Sequence, residues 1–410
     1  MVPLLGSPHR GRFHPVTKSS DLIQIIALDA DNNCAKATKV ELYRRLEKTE
    51  LQDCISRMPH LCAMRPNQTE QIALMSFQDF LPLAHLGALS GFAVSAFGLR
   101  AGMVAAAMAL DRLIGEPDLL WRHLPHPVVL FGRIISAFDR RWNRRQGVTG
   151  RGRQCRGIIA ALLFLAVGLV IGGLLSLGGP LIVLICLTVL LAGRSLDDHI
   201  RAVAAALDDG LEPARTAVGM IVGRSTANMD EGDIARAAIE TGAENLSDGV
   251  FAPAFWFVLA GLPGLFAYKI VNTADSMIGY RNARYRAFGS GAARLDDLLN
   301  LIPARFTALL IAAASLFRGR IIIALKIMMR DGKYHASPNA GWPEAAMAGA
   351  LDVWLAGPRR YGNRVRQARR FHEAGSDADQ AAIFGALRLL LIAQILFGAM
   401  MVIILVALAG

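Results

Sequence analysis

The stretch of residues 157–178 constrains the fold more than any other feature, because it contains no charged side chain. A hydrocarbon core about 30 Å thick requires roughly 20 consecutive apolar residues in a helix. The stretch therefore predicts a membrane-spanning helix. A Gly-Gly-Pro turn follows it, then a shorter apolar run at 181–192, and a further long apolar run occupies residues 386–409.

The composition agrees with several membrane spans. Hydrophobic residues make up 53% of the chain and charged residues 19%, below the roughly 25% that is usual for soluble domains. The net charge of +11 comes mostly from arginines beside apolar runs, where they orient membrane helices. A nucleic-acid partner is not expected, because no basic stripe with interleaved aromatic residues is present. We predict a mostly α-helical, polytopic integral membrane protein with a polar helical and loop region on the cytoplasmic side.

The arginine distribution also predicts which segments cross the membrane. The loop 140–156 carries seven arginines and should lie in the cytoplasm. If the apolar segments 251–271 and 301–317 each crossed once, residues 272–300 would lie outside, against their four arginines. We therefore expect both segments to enter without crossing, or to pack as helices within the protein.

The chain divides into two predicted regions. Residues 1–74 are polar and carry no motif that we recognise. We interpret them as an N-terminal extension, or as a stretch upstream of the natural start. Residues 75–410 form the predicted membrane-embedded domain.

A row of carboxylates indicates a metal site. Glu240, Glu244 and Asp248 are spaced i, i+4 and i+8 on a predicted helix that begins near Asp230, with Asn245 beside them. Such residues share one helix face, and stacked like charges repel without a counter-cation. A divalent cation such as Mg²⁺, which uses one or two carboxylates plus phosphate oxygens, would relieve this. The alternative is a solvated acidic face.

Two arginines indicate anion binding. Arg194 and Arg224 each lie in a Gly-Arg-Ser tripeptide, and the planar guanidinium fork binds phosphate or carboxylate. The alternative for either arginine is an interfacial side chain that extends towards water.

Further polar residues follow the apolar segment 251–271. Lys269, Asn272, Asp275 and Tyr280 could hold a phosphate group, or Lys269 could pair with Asp275 and anchor the helix end. The spacing does not separate these readings.

Two more clusters could carry chemistry. Asp296 and Asp297, with Arg305 nearby, indicate a second metal or nucleotide contact, although Asp297 could instead pair with Arg294. His335 is a candidate acid or base near neutral pH, although a lone histidine is more often structural. Asn339 and Glu344 follow it closely.

Several known motifs are missing from the sequence. No GxxxxGK[ST] phosphate loop is present, because Gly332-Lys333 is followed by tyrosine, and the GxSxG and HExxH patterns are also absent. A nucleotide would therefore have to bind without a familiar loop.

Taken in order, the motifs resemble those of the adenosylcobinamide-phosphate synthase family (CobD/CbiB type). They span roughly residues 104–410 and read DRLIGEP, LAGRSL, VGRST, ETGAENLSDGVFAP, YKIVNTADSMIGY, ARLDDLLNLIPAR and RDGKYHASPNAGWPEAAMAGAL. Several motifs in the same order are far more specific than any one of them.

The resemblance implies a synthase domain over 75–410 and an amide ligase of cobalamin biosynthesis. Such an enzyme would be a multi-pass protein of the bacterial inner membrane with its active site facing the cytoplasm. It would use ATP and Mg²⁺ to join (R)-1-aminopropan-2-ol O-phosphate, or aminopropanol, to adenosylcobyric acid. Its partners would be these substrates, the lipid bilayer and other cobalamin-pathway membrane enzymes.

We assign roles to the candidate residues on this basis. The predicted catalytic residues are Glu240, Glu244, Lys269 and His335. The predicted metal ligands are Glu240, Glu244, Asp248, Asp296 and Asp297. The predicted substrate- or phosphate-binding residues are Arg194, Arg224, Asn245, Asn272, Asp275, Tyr280, Arg305, Asn339 and Glu344.

Two other classes of protein remain open at this point. A membrane transferase for prenyl or CDP-alcohol substrates would also use helix carboxylates and Mg²⁺, but its aspartate patterns are absent. A transporter or sensor would place ionisable residues near the bilayer midplane, whereas here they cluster in loops and at helix ends.

Overall fold

The described part of the chain covers most of the predicted membrane domain. The computed structural model describes residues 86–115, 121, 125–143, 149–223, 225–361, 364–366 and 368–409. These residues belong to one unit, 83–410. The predicted extension 1–74, its boundary and Arg224 lie outside the described residues.

Helices dominate the described residues, as predicted. Thirteen α-helices are described: α1 Leu86–Ile114, α2 Pro127–Trp142, α3 Gly150–Ser176, α4 Gly179–Leu190, α5 Gly193–Asp208, α6 Leu211–Gly219, α7 Glu231–Leu246, α8 Ala252–Ile278, α9 Ser290–Leu299, α10 Leu301–Ala314, α11 Ile321–Asp331, α12 Gly341–Leu351 and α13 Gln380–Ala409. A π-helical turn, Ser247–Phe251, joins α7 to α8, and 3-10 turns follow α10 (Ser315–Arg318) and α11 (Gly332–Tyr334).

The described strands are very short and form two antiparallel pairs. Strand β1 (Leu355–Ala356) pairs with β4 (Arg370–Phe371). Strand β2 (Arg359–Tyr361) pairs with β3 (Arg364–Arg366) as a hairpin between them. The strands therefore form a small β-structured connection between α12 and α13.

Six described segments are long and apolar enough to cross a membrane. They are Val94–Ile114, Gly150–Ser176, Gly179–Asp208, Glu231–Ile278, Leu301–Arg318 and Gln380–Ala409. This set confirms the prediction of a mostly α-helical, polytopic membrane protein.

One of these segments reverses direction at Gly261. This glycine has a φ of +65°, in the left-handed region that side chains with a Cβ rarely adopt. A Cβ added to Gly264 would lie 2.4 Å from the Trp256 carbonyl oxygen, although residues eight apart in a straight helix are about 12 Å apart. The two halves of α8 therefore fold back on each other as a helical hairpin.

Arg100 of α1 caps the first arm of this hairpin. Its Nη1 donates to the Leu259 carbonyl oxygen at 3.0 Å and lies 3.4 Å from that of Val258. The carbonyl groups at a helix end have no partner within the helix, and an apolar environment penalises unpaired ones. The arginine thus makes a helix end possible at this position.

The hairpin is largely enclosed by protein. In the apolar window of Glu231–Ile278, 72% of the residues are buried, against 28% for Gly150–Ser176. The expectation that 251–271 packs within the protein is therefore confirmed. Both ends of α8 lie on the same side because the chain turns back at Gly261.

The other segment, 301–317, forms α10 and runs beside α13. Trp256 donates to the Leu299 carbonyl oxygen just before α10, the rings of Phe306 and Phe397 are 5.8 Å apart, and Arg318 lies near Gly385. The two helices are therefore antiparallel. The start of α13 lies beside the polar helix α5, where Gln380 donates to the Ala204 carbonyl oxygen. Because α10 runs antiparallel to α13, it leads from the hairpin towards this polar end.

Glycines on α3 bring this helix against the second arm of the hairpin. A Cβ at Gly168 would lie 2.5 Å from the Ala267 Cα, and one at Gly172 would lie 2.4 Å from the Leu262 carbonyl oxygen. Such small residues allow close backbone approach between membrane helices. The contact is therefore backbone against backbone.

This packing predicts a position-specific effect of adding one methyl group. We expect Gly172→Ala to lower the thermal midpoint in detergent by several degrees, because overpacking costs about 1–3 kcal/mol and each kcal/mol shifts the midpoint by roughly 2–4 °C. Gly173→Ala is the matched control, since a Cβ there meets nothing within 4 Å. Equal midpoints for the two variants would contradict the backbone contact.

Candidate active site

A cavity of about 280 Å³ lies where the ends of several helices meet. It is rich in carboxylates, which come from the end of α7 and its π turn, from the end of α8 and from α9. The acidic residues that line it are Glu244, Asp248, Asp275, Asp296 and Asp297. All five are predicted site residues, and the fold brings them together from three separate stretches.

The helix α7 supplies one wall of the cavity but divides the predicted carboxylate row. Glu244 and Asp248 line the cavity together with Ser247. Glu240 is directed elsewhere, because its Oε1 accepts a hydrogen bond from the Ala356 N–H at 2.7 Å. The π turn that begins at Ser247 changes the helix register within this row, and such turns are frequent at functional sites.

The hairpin supplies the opposite wall. Asp275 lies near the end of α8, and the reversal at Gly261 returns it to the same side as Asp248. Tyr268 ties the wall together, because its hydroxyl lies 2.9 Å from Asn300 Oδ1 and 3.2 Å from the Asp248 carbonyl oxygen. The tight turn of the hairpin therefore determines the shape of the cavity.

Asp296 is the most constrained carboxylate of α9. It is buried, and its two oxygens accept hydrogen bonds from Asn272 Nδ2 at 3.1 Å and from Asn300 Nδ2 at 3.0 Å. Burial and the charges of Asp275 and Asp297 raise its pKa to about 7, against the effect of the two amides. This carboxyl group can therefore exchange a proton near neutral pH.

Its neighbour Asp297 is half-buried at the cavity wall. Burial raises the pKa of Asp297 as well, and the charge of Arg281 opposes the shift. Arg281 itself lines the cavity, so a cation faces this side of the acidic cluster.

The loop before α12 completes the cavity with His335, Ser337 and Asn339. Ser337 Oγ accepts from the N–H groups of Asn339 and Ala340, at 3.2 and 3.3 Å. The Ser337 N–H donates to His335 Nδ1 at 3.1 Å. In the neutral ring the proton therefore lies on Nε2, which is 3.8 Å from Glu344 Oε1.

Asn339 links the cavity to two neighbouring elements. Its Nδ2 donates to the Asp297 carbonyl oxygen at 2.7 Å, and its Oδ1 accepts from Arg305 Nη1 at 3.1 Å. Arg305 also packs over the Trp342 ring, 4.7 Å from its centroid. Arg305 thus orients a wall residue and does not itself line the cavity.

Arg194 does not reach the cavity. Its Nη1 donates to the carbonyl oxygens of Arg112 and Leu113 at 3.1 and 2.9 Å, and its N–H donates to Asp111 Oδ2. The guanidinium therefore caps the end of α1, a structural role that differs from the predicted phosphate contact.

Three other predicted residues lie around the cavity without lining it. Lys269 is buried in α8. Asn245 is exposed on α7. Tyr280 is half-exposed, and its hydroxyl would lie 3.8 Å from a Cβ at Gly223, so the loop that contains the second Gly-Arg-Ser tripeptide borders the site.

The prediction missed some residues that line the cavity, among them Ser247, Arg281 and Ser337. Ser337 had a readable signal, because a serine shortly before a helix is a typical cap. Ser247 had none, since the π turn that presents it leaves no pattern in the sequence. Arg281 directly follows the predicted Tyr280, but its place in an arginine-rich stretch indicates only membrane orientation.

The donor set suits a hard cation that shares its ligands with a substrate. Within the described residues, no three Asp, Glu, His or Cys side chains are close enough to hold a metal ion by themselves. Mg²⁺ characteristically uses one or two carboxylates and completes its shell with water and phosphate oxygens. The carboxylates that line the acidic cavity are therefore of the kind that can supply one or two ligands to Mg²⁺.

Fold and site together define a class: a polytopic helical membrane protein with an acidic cavity at the ends of its helices. The family model described as CobD/Cbib protein matches residues 104–390. The chain therefore belongs to the CobD/CbiB family, which confirms the family predicted from the motifs. No solved structure shows significant similarity to the chain.

Curated relatives carry the name "Cobalamin biosynthesis protein CobD". The protein from Brucella suis biovar 1 (strain 1330) is 50% identical over 295 residues, which cover 68% of this chain and 88% of that protein. The protein from Sinorhizobium sp is 52% identical over 271 residues, covering 63% and 84%. The protein from Rhodobacter capsulatus is 48% identical over 272 residues, covering 65% and 84%.

The raised pKa of Asp296 predicts how stability depends on pH without Mg²⁺. An unfolded aspartate titrates near pH 3.9, whereas this carboxyl keeps its proton up to about pH 7 in the folded protein. Between these values the folded state binds more protons, so raising the pH destabilises it. We expect the thermal midpoint of Asp296→Asn to fall less than that of the wild type between pH 5 and pH 8.

Asp209→Asn is the control, because this carboxylate is exposed at the end of α5. It should keep the wild-type pH dependence. An unchanged pH dependence in Asp296→Asn would mean that Asp296 does not hold a proton near neutral pH.

Proposed function

We propose that the protein is an enzyme of cobalamin biosynthesis, an ATP- and Mg²⁺-dependent amide ligase. It would join (R)-1-aminopropan-2-ol O-phosphate, or aminopropanol, to adenosylcobyric acid and form adenosylcobinamide phosphate or its unphosphorylated form. Family membership supports the pathway. The observation that carries the reaction type is the convergence of five carboxylates in one cavity beside Asn300, Asn339 and Arg281.

Amide formation from a carboxylate needs activation. In the proposed reaction a propionate oxygen of the corrinoid attacks the γ-phosphorus of ATP, and the bond to ADP breaks. The amine then attacks the acyl carbon, phosphate leaves, and the nitrogen loses a proton. Such a site has to bind polyphosphate, attract an ammonium group and accept a proton.

The acidic cavity suits the amine half of this reaction. Its carboxylates attract the ammonium form of the amino alcohol, and one group must remove a proton before attack. Asp296, with a pKa of about 7, is matched to that role near neutral pH. His335 remains a candidate base, although its Nδ1 accepts the Ser337 N–H.

The phosphate half of the reaction requires charge neutralisation. One or two carboxylates of the set Glu244, Asp248 and Asp297 would hold Mg²⁺ at the cavity wall, with phosphate oxygens and water as the remaining ligands. Bound there, Mg²⁺ would offset the negative charge on the transferring phosphoryl group. Arg281 would add a second positive charge on the same wall.

We place the enzyme in the bacterial inner membrane with the cavity facing the cytoplasm. The arginine-rich loop 140–156 should lie inside by the positive-inside rule. Asn143 of this loop donates to the Arg284 carbonyl oxygen at 3.4 Å, so residues 281–286 lie on the same side. The cavity residue Arg281 belongs to that segment.

Turnover by purified protein in detergent tests the proposal. Adenosylcobyric acid, aminopropanol phosphate, ATP and Mg²⁺ should yield a corrinoid heavier by the condensed amine, detected by mass spectrometry. The product should vanish when ATP or Mg²⁺ is omitted. Folded protein that forms no product with either amine would exclude the ligase and favour a Mg²⁺-dependent transferase.

A matched pair of α7 variants tests the acidic cavity itself. We expect Glu244→Gln to lower Mg²⁺-dependent kcat at least 100-fold, because it removes a negatively charged metal ligand from the cavity wall. Glu231→Gln makes the same chemical change at an exposed position in the first turn of α7, and it should retain wild-type turnover. Comparable activity in the two variants would remove Glu244 from the metal set.

A further inference from the structure

A second cavity, of about 350 Å³, lies outside the acidic site. It is formed between the end of α11 and the strand β4 with the turn after it. Its lining residues are Arg330, Arg369, Arg370, Glu373 and Ala374. Three arginines against one exposed carboxylate give this cavity a positive charge, the opposite of the acidic cavity.

A buried carboxylate holds two of the arginines in place. Asp331 is fully buried, and its oxygens accept from Arg330 Nε and Nη2 at 2.8 and 2.7 Å and from the His372 N–H at 2.9 Å. Arg369 Nη2 lies 3.9 Å from the same carboxylate. Burial alone would raise the pKa of Asp331, but these hydrogen bonds and charges lower it. The carboxylate therefore stays ionised.

Aromatic rings support the other guanidinium faces. Arg369 lies over Tyr334, 4.4 Å from the ring centroid, and Arg370 lies over Trp354 at 4.0 Å. The side chains of Arg330 and Arg369 are still 54% and 51% exposed. These arginines are therefore held in position yet open to solvent. Binding a ligand then costs little side-chain entropy, because the arginines are already ordered.

The surrounding chain adds positive charge. Residues 359–371 contain six arginines and no acidic residue, and the hairpin of β2 and β3 lies within them. Arg330, Arg369 and Arg370 line the same cavity, and their charges add to attract anions. Strand β1, the partner of β4, packs on α7, where Arg236 lies 3.9 Å from the Trp354 ring centroid and Glu240 accepts from the Ala356 N–H. This polar position of the strand pair favours a soluble anion over a lipid headgroup.

We propose that this arginine-lined cavity binds the polyphosphate chain of a nucleoside triphosphate, an inference that rests on the proposed ATP-dependent function. The guanidinium forks of Arg369 and Arg370 can bind phosphate oxygens bidentately, and Arg330, which bonds Asp331, adds a fixed positive charge. Several arginines match a chain of phosphates better than a single phosphate. The turn Gly332–Tyr334 connects Asp331 to His335 of the acidic cavity. The Phe371 ring of β4 lies 6.2 Å from the His335 ring, so the phosphates would lie close to the acidic cavity.

Direct binding of tripolyphosphate tests this site without turnover. The full-length protein, in phosphatidylcholine nanodiscs, is titrated calorimetrically. We expect the double variant Arg369→Gln/Arg370→Gln to bind at least tenfold more weakly than the wild type, and Arg201→Gln, which removes an exposed arginine of α5, to bind like the wild type. Glu373→Gln should bind severalfold more tightly, because it removes a repelling charge from the cavity.

Other outcomes would overturn the inference. One is equal affinity of the double variant and Arg201→Gln; another is an unchanged or weaker affinity in Glu373→Gln. The Glu373→Gln result stands even if the double variant does not fold. Wild-type protein that binds no tripolyphosphate but retains phosphatidylglycerol, which the double variant loses, would assign the arginines to lipid headgroups.

The turnover assay separates this inference from the proposed function. In an active enzyme the double variant should raise the KM for ATP at least tenfold, with a smaller effect on kcat. Turnover with an unchanged KM for ATP would overturn the cavity assignment and leave the ligase intact. Loss of tripolyphosphate binding in the double variant, with no turnover by any form of the protein, would keep the cavity and reject the ligase.

Discussion

The structure depends on ending a helix inside an apolar region without leaving its carbonyl groups unpaired. Arg100 resolves this at the tip of the α8 hairpin by donating to the Leu259 carbonyl oxygen, and Gly261 supplies the backbone conformation for the reversal. An unpaired polar group in hydrocarbon costs several kcal/mol. Without the cap and the turn, the helix of the first arm would continue in the same direction, and Asp275 would lie far from Asp248. The acidic cavity therefore rests on a contact made at the opposite end of the same hairpin.

Opposite charges are separated between the two cavities. The carboxylates of the acidic cavity lie in one place, and the arginines of the second cavity lie in another, joined by the turn after α11. Asp331 and Asp296 illustrate the contrast. Both are buried, but guanidinium groups surround the first and lower its pKa, whereas carboxylates and neutral amides surround the second and raise its pKa to about 7. Similar burial thus gives one permanently charged anchor and one group that exchanges protons.

Much of the fold and part of the site could be predicted from the sequence. The apolar runs, the positions of arginines and the motif order carried the membrane class, the family and seven residues of the acidic cavity. Two predicted site residues lie away from the cavity, for physical reasons. Glu240 lies in the same regular helix as Glu244, but it accepts a hydrogen bond from Ala356, which is too far along the chain to appear in any local pattern. The Gly-Arg-Ser pattern around Arg194 indicates an anion site, because sequence spacing cannot reveal the end of α1 whose carbonyl groups this arginine binds.

The glycine contacts of α3 have a consequence for motion. Gly168 and Gly172 meet the hairpin backbone directly, so that wall of the protein has little freedom to slide or tilt. The loop with Ser337 and Asn339 is also held in place, because Asn339 bonds both the Asp297 carbonyl oxygen and Arg305. The membrane-embedded hairpin therefore forms a fixed wall of the acidic cavity.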